Sequence, residues 1–153
     1  MIYEYDIEID RTNKYKLVRV GGKKVTKEIV EYPEDAFRII NEFCRLGYKG
    51  EENCYIFAMN GISIMGVFLI QRETMDNCGM NRKNILSRLL LIGASGCIIM
   101  HNHPSQIAKP SKEDFEMFEE LKKSFELMDI TIIDFMIICK YNFYSFLNHD
   151  IIE

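Results

Sequence analysis

Near the middle of the chain the sequence reads Tyr55-Ile56-Phe57-Ala58-Met59-Asn60-Gly61, followed by the apolar run 62–70, and the predicted architecture is built around these residues. Asn-Gly between two apolar runs is a strong signal for a tight hairpin, because both residues tolerate the positive φ angles that such a turn requires. Apolar runs of about 4–8 residues bounded by turn signals are typical of strands buried on both faces. The stretch therefore predicts two adjacent central strands of one sheet.

The segments upstream of this hairpin predict further strands. Residues 2–9 alternate between apolar and polar side chains, which is the period of a half-buried strand. Residues 15–20 predict a second strand, and Gly21-Gly22 is expected to turn the chain into another extended stretch ending near Val30. Residues 1–30 therefore predict a β-meander that extends the core of the domain.

Helices and further strands are predicted around the same hairpin. Pro33 suits the first turn of a helix that Gly47 is expected to end. The segment 82–94 is apolar on most of its circumference and predicts a largely buried helix. The other predicted elements are a strand at 97–100, a helix at 112–127 with Phe115, Phe118, Leu121 and Phe125 facing the core, and strands near 130–138 and 141–146.

These elements predict a single α/β domain over residues 1–153, with a core at 31–147. We expect a mixed, mainly antiparallel sheet flanked by helices, with the site described below at a sheet edge. The chain is 48% hydrophobic and 27% charged, the composition of a soluble globular protein. Its net charge of −4 argues against strong nucleic-acid binding, since a phosphate-facing surface needs clustered Lys and Arg.

The cysteines indicate a reducing environment. They are five, an odd number, without CxxC pairs, so neither a disulfide framework nor a cysteine zinc site is expected. No apolar run approaches the ~18 residues of a membrane span, and the N-terminus lacks the pattern of a secretory signal. We expect a cytoplasmic protein that does not contact membranes.

A second stretch carries the chemistry: His101-Asn102-His103, with Ser111 and Asp114 downstream. It has the form His-x-His-x(7)-Ser-x-x-Asp. Two imidazoles and one carboxylate can occupy three corners of a tetrahedron around Zn²⁺ and leave the fourth to water, which is the arrangement of catalytic zinc. We predict one Zn²⁺ per chain, held by His101, His103 and Asp114.

Part of this pattern has a purely structural interpretation. Ser111 and Asp114 have the spacing of a helix capping box, with Pro110 just upstream and an apolar-periodic run downstream. That interpretation explains these two residues but not the pair of histidines. A capped helix start and a metal ligand in its first turn can also coexist.

A zinc hydrolase also needs a general base. Position favours Glu51-Glu52, immediately before the predicted central strand 53–59, although a polar pair ahead of a strand is more often only solvated. On position alone both interpretations stay open.

The pattern Glu52, His101-x-His103-x(7)-Ser111-x-x-Asp114 resembles the JAMM motif of MPN/JAB domains, and His-Asn-His-Pro-Ser resembles their RadC-like branch. The resemblance covers roughly residues 31–147. It implies a three-layer architecture like that of cytidine deaminases, zinc ligation by His101, His103 and Asp114, Glu52 as general base and Ser111 as donor to the oxyanion. The reaction implied is cleavage of a peptide or isopeptide amide bond, the latter often to a ubiquitin-like protein.

Three features depart from the RadC-like pattern. Gln106 stands where Gly is usual, so the loop beside the predicted metal lacks glycine's freedom to adopt positive φ. Asp134-Phe135 replaces an expected Asp-His pair, and Asp134 is left outside the predicted site as a strand-end turn former. We also expect no helix-hairpin-helix module of the kind found in longer relatives.

Two functions from different classes follow. The first is a zinc metallopeptidase or isopeptidase acting on a peptide or ubiquitin-like protein. The second is a non-enzymatic or DNA-repair-associated accessory module of RadC type. The sequence leaves the oligomeric state open, with a homodimer among the alternatives.

Overall fold

The computed structural model describes residues 1–70 and 81–152, and the predicted loop through Asn77, Cys78 and Gly79 lies outside them. The strands in these ranges are β1 (Ile2–Ile9), β2 (Tyr15–Lys23), β3 (Cys54–Asn60), β4 (Ser63–Ile70), β5 (Gly96–Asn102), β6 (Thr131–Ile138) and β7 (Phe143–Ser145). The helices are α1 (Pro33–Cys44), α2 (Arg82–Ile92) and α3 (Lys112–Leu127). A 3₁₀ turn, Leu46–Tyr48, follows α1.

The described strands form one sheet in the order β2-β1-β4-β3-β5-β6-β7. Neighbouring strands are antiparallel except for the parallel pairs β1–β4 and β5–β6. The predicted hairpin is β3–β4, in which Gly61 has the positive φ of 58° that favours glycine at this turn. The mixed, mainly antiparallel sheet is confirmed.

Two hydrophobic clusters lie on opposite faces of the sheet, because successive side chains of a strand point to opposite faces. The cluster beneath α1 includes Ala36, Ile39, Ile40, Phe57, Met59, Ile98 and Met100. The cluster beneath α2 and α3 includes Ile56, Ile85, Leu89, Ile99, Phe118, Phe125 and Phe135. Strands β3 and β5 supply both clusters, so the fold has the predicted three layers of helix, sheet and helix.

The predicted β-meander at residues 1–30 is wrong in its second half. Gly21 and Gly22 do not turn the chain but lie within β2, opposite Glu4 and Tyr3 of β1. A side chain on Gly22 would meet the Tyr3 ring at 2.6 Å, so this glycine allows close packing of the strand against that ring. After β2 the chain makes only an isolated bridge, between Ile29 and Ser63. The N-terminal extension is a two-stranded hairpin.

Helix α1 ends earlier than predicted, and for a different reason. It ends at Cys44, and Arg45 takes the left-handed conformation at its C-terminus with φ 55°. Gly47 lies beyond, where a β-carbon would come within 2.1 Å of the Cys139 carbonyl oxygen. Gly47 therefore permits contact between two backbones and does not end the helix.

Helix α2 is less buried than its composition predicted. Ile85 and Leu89 are fully buried, whereas Leu90 is 50% exposed and Leu91 42% exposed. The helix packs against the sheet along one face only. On α3, Phe115 is likewise 40% exposed, in contrast to its predicted place in the core.

The two histidines lie at the C-terminal end of β5, between β3 and β6 and not at the predicted sheet edge. Asp134 lies inside β6, not at a strand end. In the described ranges, no helix has the length and apolar character needed to cross a membrane.

Candidate metal centre

Three elements bring the predicted site residues together. His101 is near the end of β5, and Cys54 at the start of β3 pairs directly with it. Glu52 therefore approaches His101 from two residues before β3. Asp114 lies in the first turn of α3 and is buried, at 2% exposure.

Short distances connect these side chains. His101 Nδ1 lies 3.0 Å from Glu52 Oε1, and His101 Nε2 lies 3.0 Å from Asp114 Oδ1. His103 Nε2 lies 3.3 Å from Asp114 Oδ2. Single ligand atoms of Glu52, His101 and His103 also lie within 4.8 Å of one another. The two carboxylates thus flank the His101 ring, and Asp114 contacts both histidines.

Neither ring nitrogen of His101 makes a hydrogen bond, although both are buried. The nearby carboxylate oxygens are at suitable distances but not in hydrogen-bonding directions. A buried polar atom without a partner is costly, and a metal ion is one group that can satisfy an imidazole nitrogen. Two ligand atoms about 2.0–2.1 Å from a tetrahedral ion lie roughly 3.3 Å apart. The carboxylate oxygens and imidazole nitrogens of this site are separated by similar distances, 3.0–3.3 Å. The cluster of Glu52, His101 and His103 could therefore hold a metal ion.

The orientation of His103 also suits a ligand. Its Nδ1 lies 3.0 Å from the carbonyl oxygen of Ile107. Because a carbonyl only accepts, Nδ1 must carry the proton, which leaves the lone pair of the neutral ring on Nε2. This is the nitrogen that faces Asp114.

The capping box predicted at the start of α3 is present. Ser111 Oγ accepts the Asp114 N–H at 3.1 Å, and Asp114 Oδ2 accepts the Ser111 N–H at 2.8 Å. The box fixes the Asp114 carboxylate toward the histidines. The Ser111 hydroxyl accepts in this contact, so its own proton remains available for donation.

Electrostatics couple the four side chains. Burial lowers the pKa of His101, but Asp114 and Glu52 outweigh it and raise that pKa to about 9. Contact with Asp114 raises the pKa of His103, and contact with His101 lowers the pKa of Glu52. Burial would raise the pKa of Asp114, yet the two imidazoles hold it well below its usual range. The carboxylates therefore favour positive charge at the imidazoles, which a divalent cation could supply in place of protons.

Two of the departures from the family pattern, Gln106 and Phe135, contact the histidines of the site. Gln106 adopts the left-handed conformation, with φ 64°, although it is not glycine. Phe135 is buried with its ring edge-on to His101, the centroids 5.8 Å apart. Asp134 points elsewhere, accepting hydrogen bonds from the Ser145 hydroxyl at 2.6 Å and the Leu147 N–H at 3.0 Å.

The motif assigns no role to one buried residue near the site, Asn102. Asn102 separates the two histidines and is fully buried, with its side chain bonded to the segment that carries Glu52. In the pattern His-x-His, Asn102 is the unspecified residue between the two histidines. The one available signal was its polar amide at the end of an apolar strand.

Comparisons with known proteins agree with this geometry. The family model for the RadC-like JAB domain matches residues 30–151. A UPF0758 protein of Streptococcus equi subsp. equi is 40% identical over 138 residues, which cover 84% of this chain and 56% of the relative. A UPF0758 protein of Thermotoga maritima is 26% identical over 129 residues, covering 82% of this chain and 58% of the relative.

The chain thus spans little more than half the length of these curated relatives. The family match, in contrast, includes most of the chain and the four site residues Glu52, His101, His103 and Asp114. The chain belongs to the RadC-like JAB domain family.

Proposed function

We propose that the chain is a cytoplasmic zinc-dependent hydrolase that cleaves a peptide or isopeptide amide bond with a metal-activated water. The observation that carries this proposal is the His101 ring, whose two buried nitrogens lie between carboxylates without making a hydrogen bond. The two carboxylates favour positive charge at this ring, and a divalent cation can supply that charge in place of the imidazole protons.

His101 Nε2, His103 Nε2 and Asp114 would hold the ion. Asp114 is shared by both histidines and is buried, as suits a permanent ligand. When bound, Zn²⁺ lowers the pKa of a water ligand to ~7 and polarises a carbonyl group.

Glu52 would act as the general base. Its side chain is 41% exposed, and one of its carboxylate oxygens lies within 4.8 Å of a ligand atom of each histidine, which brings it within reach of a water on an ion held there. It can take a proton from the attacking water and return it to the leaving nitrogen. Contact with His101 lowers its pKa, so it is ionised and able to accept that proton at neutral pH. The free hydroxyl proton of Ser111 would stabilise the oxyanion.

Glu52 could instead be a ligand, since it forms a compact triple with His101 and His103. The variants Glu52→Gln and Asp114→Asn separate the two arrangements. We expect Asp114→Asn to lose zinc, and Glu52→Gln to keep about one zinc per chain while hydrolysis falls by at least ~100-fold. Loss of zinc in Glu52→Gln would make Glu52 a ligand, and full activity would refute its role as base. Glu51→Gln is the matched control.

The substrate must be found by screening. Elemental analysis of the purified protein should be combined with assays on short peptides and on ubiquitin-like fusions. Hydrolysis that disappears with a chelator and returns with Zn²⁺ supports the proposal. No hydrolysis by zinc-loaded protein across both substrate classes would count against it.

One observation favours a second function, a DNA-associated accessory role. Residues 11–27, which include the edge strand β2, contain seven Lys and Arg and no Asp or Glu, in a chain of net charge −4. Such a local basic strip can neutralise phosphates even in an acidic protein. DNA binding that weakens steeply with salt, together with purified protein free of zinc, would favour this role over hydrolysis.

A further inference from the structure

Asn102 makes three side-chain hydrogen bonds to one short segment. Its Nδ2 donates to the carbonyl oxygens of Lys49, at 3.2 Å, and Glu51, at 2.9 Å. Its Oδ1 accepts the Asn53 N–H at 2.6 Å. An amide is suited to this because it offers two donors and an acceptor in one plane. All three partners are backbone groups of residues 49–53.

This segment carries Glu52 and has no regular structure of its own. Ladder pairing between β3 and β5 begins at Cys54, opposite His101, and ahead of it one backbone bond runs from the Asn102 N–H to the Asn53 carbonyl oxygen at 3.3 Å. Between Tyr48 and Cys54 no helix or strand fixes the backbone. The bonds from Asn102 therefore hold the carbonyls of Lys49 and Glu51 and the amide of Asn53, on both sides of Glu52.

We propose that Asn102 is a positioning residue that holds Glu52 at the correct distance from the two histidines, an inference that rests on the proposed hydrolase. The side chains of His101 and His103 face the site. Asn102, which lies between them, fixes the segment that carries the proposed base Glu52. One tripeptide thus presents two ligands and locates the base.

The Asn102→Asp variant tests this role. Aspartate keeps the shape and the acceptor for the Asn53 N–H, but it replaces both donated bonds with a carboxylate oxygen facing two carbonyl oxygens. Asn102→Ser, which is too short to span the segment, is the second variant. Asn148→Asp is the matched control, because it makes the same exchange at an exposed asparagine outside the segment that carries Glu52.

Kinetics and metal affinity are the first readouts. Misplacement of a catalytic group by about 1 Å can cost roughly 100-fold in rate. We expect kcat to fall at least about tenfold in both Asn102 variants, with KM and the Zn²⁺ Kd changed by less than about threefold. Asn148→Asp should match the wild type. Unchanged kcat in the Asn102 variants, or a loss of kcat explained by lost zinc, would overturn the inference.

A positional readout does not depend on activity. In protein loaded with Co²⁺, paramagnetic relaxation of the Glu52 carboxyl carbon reports its distance from the metal. We expect this relaxation to weaken in both Asn102 variants and to stay unchanged in Asn148→Asp. If zinc-loaded wild type cleaves no substrate, the proposed hydrolase fails while this measurement still decides whether Asn102 places Glu52.

Amide hydrogen exchange covers the case in which the Asn102 variants do not fold. In the wild type, the Asn53 amide lies outside the ladder yet should be protected by its bond to Asn102. Exchange of Asn53 as fast as that of a freely exposed loop amide would overturn the inference without any variant.

Discussion

Gln106 donates a hydrogen bond from its side-chain Nε2 to the carbonyl oxygen of Gly47, 3.1 Å away. Its Oε1 accepts the Lys140 N–H at 2.9 Å, so one side chain joins the loop after His103 to two other segments. The backbone at Gln106 is left-handed, with φ 64°, which costs a non-glycine residue roughly 1 kcal/mol or more. The side-chain bonds offset that cost.

Substitutions at Gln106 separate the backbone cost from the bonds. Gln106→Ala keeps the strained backbone and loses both bonds, and should lower the free energy of unfolding by about 2 kcal/mol. Gln106→Gly loses the bonds but also the strain, so its loss should be about 1 kcal/mol smaller. Urea unfolding measures both values. An alanine variant as stable as the glycine variant would show that the backbone conformation is not strained.

The position of Gly47, in the same region, leaves no room for a side chain. A β-carbon at this position would lie 2.1 Å from the Cys139 carbonyl oxygen and 2.4 Å from its carbon, and both are backbone atoms. We expect Gly47→Ala to lower the unfolding free energy by roughly 3 kcal/mol or more. Gly50→Ala is the control, because nothing lies within 4 Å of its added β-carbon. Equal stability of the two variants in urea would contradict the assigned role of Gly47.

The two errors at glycines have one cause. Sequence patterns identified where glycine occurs but not what surrounds it in the fold. Gly22 allows close packing against the Tyr3 ring of the neighbouring strand, and Gly47 permits contact with a backbone 92 residues away. Asn60-Gly61 was predicted correctly because a hairpin turn depends on the local residues alone.

The candidate site divides in the same way. His101, His103 and Asp114 were found by their spacing, since a strand end and the next helix start are close in sequence. Glu52 could not be placed by position, because its proximity to His101 depends on the register in which β3 pairs with β5. Only the family resemblance indicated Glu52 as the general base. The bonds from Asn102 depend on that same register, and no pattern indicated them.

The one-sided burial of α2 gives a third prediction. Leu89 and Leu90 are adjacent, yet Leu89 is fully buried and Leu90 is 50% exposed. Leu89→Ala should therefore lower the unfolding free energy by about 2–5 kcal/mol, and Leu90→Ala by less than about 1 kcal/mol. Thermal and urea unfolding of the two variants test this. A large loss in Leu90→Ala would mean that another surface covers this face of the helix.

Asp134 gives the protein a pH-dependent stability that is separate from the metal centre. Burial raises the pKa of this carboxyl to about 6 from its ordinary 3.8, although donors from Ser145, Leu147 and Phe135 pull it down. The folded protein therefore binds the Asp134 proton more tightly than the unfolded chain does. The stabilising contribution is complete below about pH 4 and is lost as the pH rises through about 6.

Asp134→Asn isolates this effect because asparagine keeps the shape and does not titrate. Relative to the variant, wild-type protein should lose roughly 3 kcal/mol of unfolding free energy between pH 4 and pH 7, the amount that a shift of about two pKa units represents. Urea unfolding of both proteins across this range gives the difference, in which all other titrating groups cancel. Parallel stability curves for wild type and Asp134→Asn would mean that Asp134 stays ionised in the fold, held by its three donors in spite of its burial.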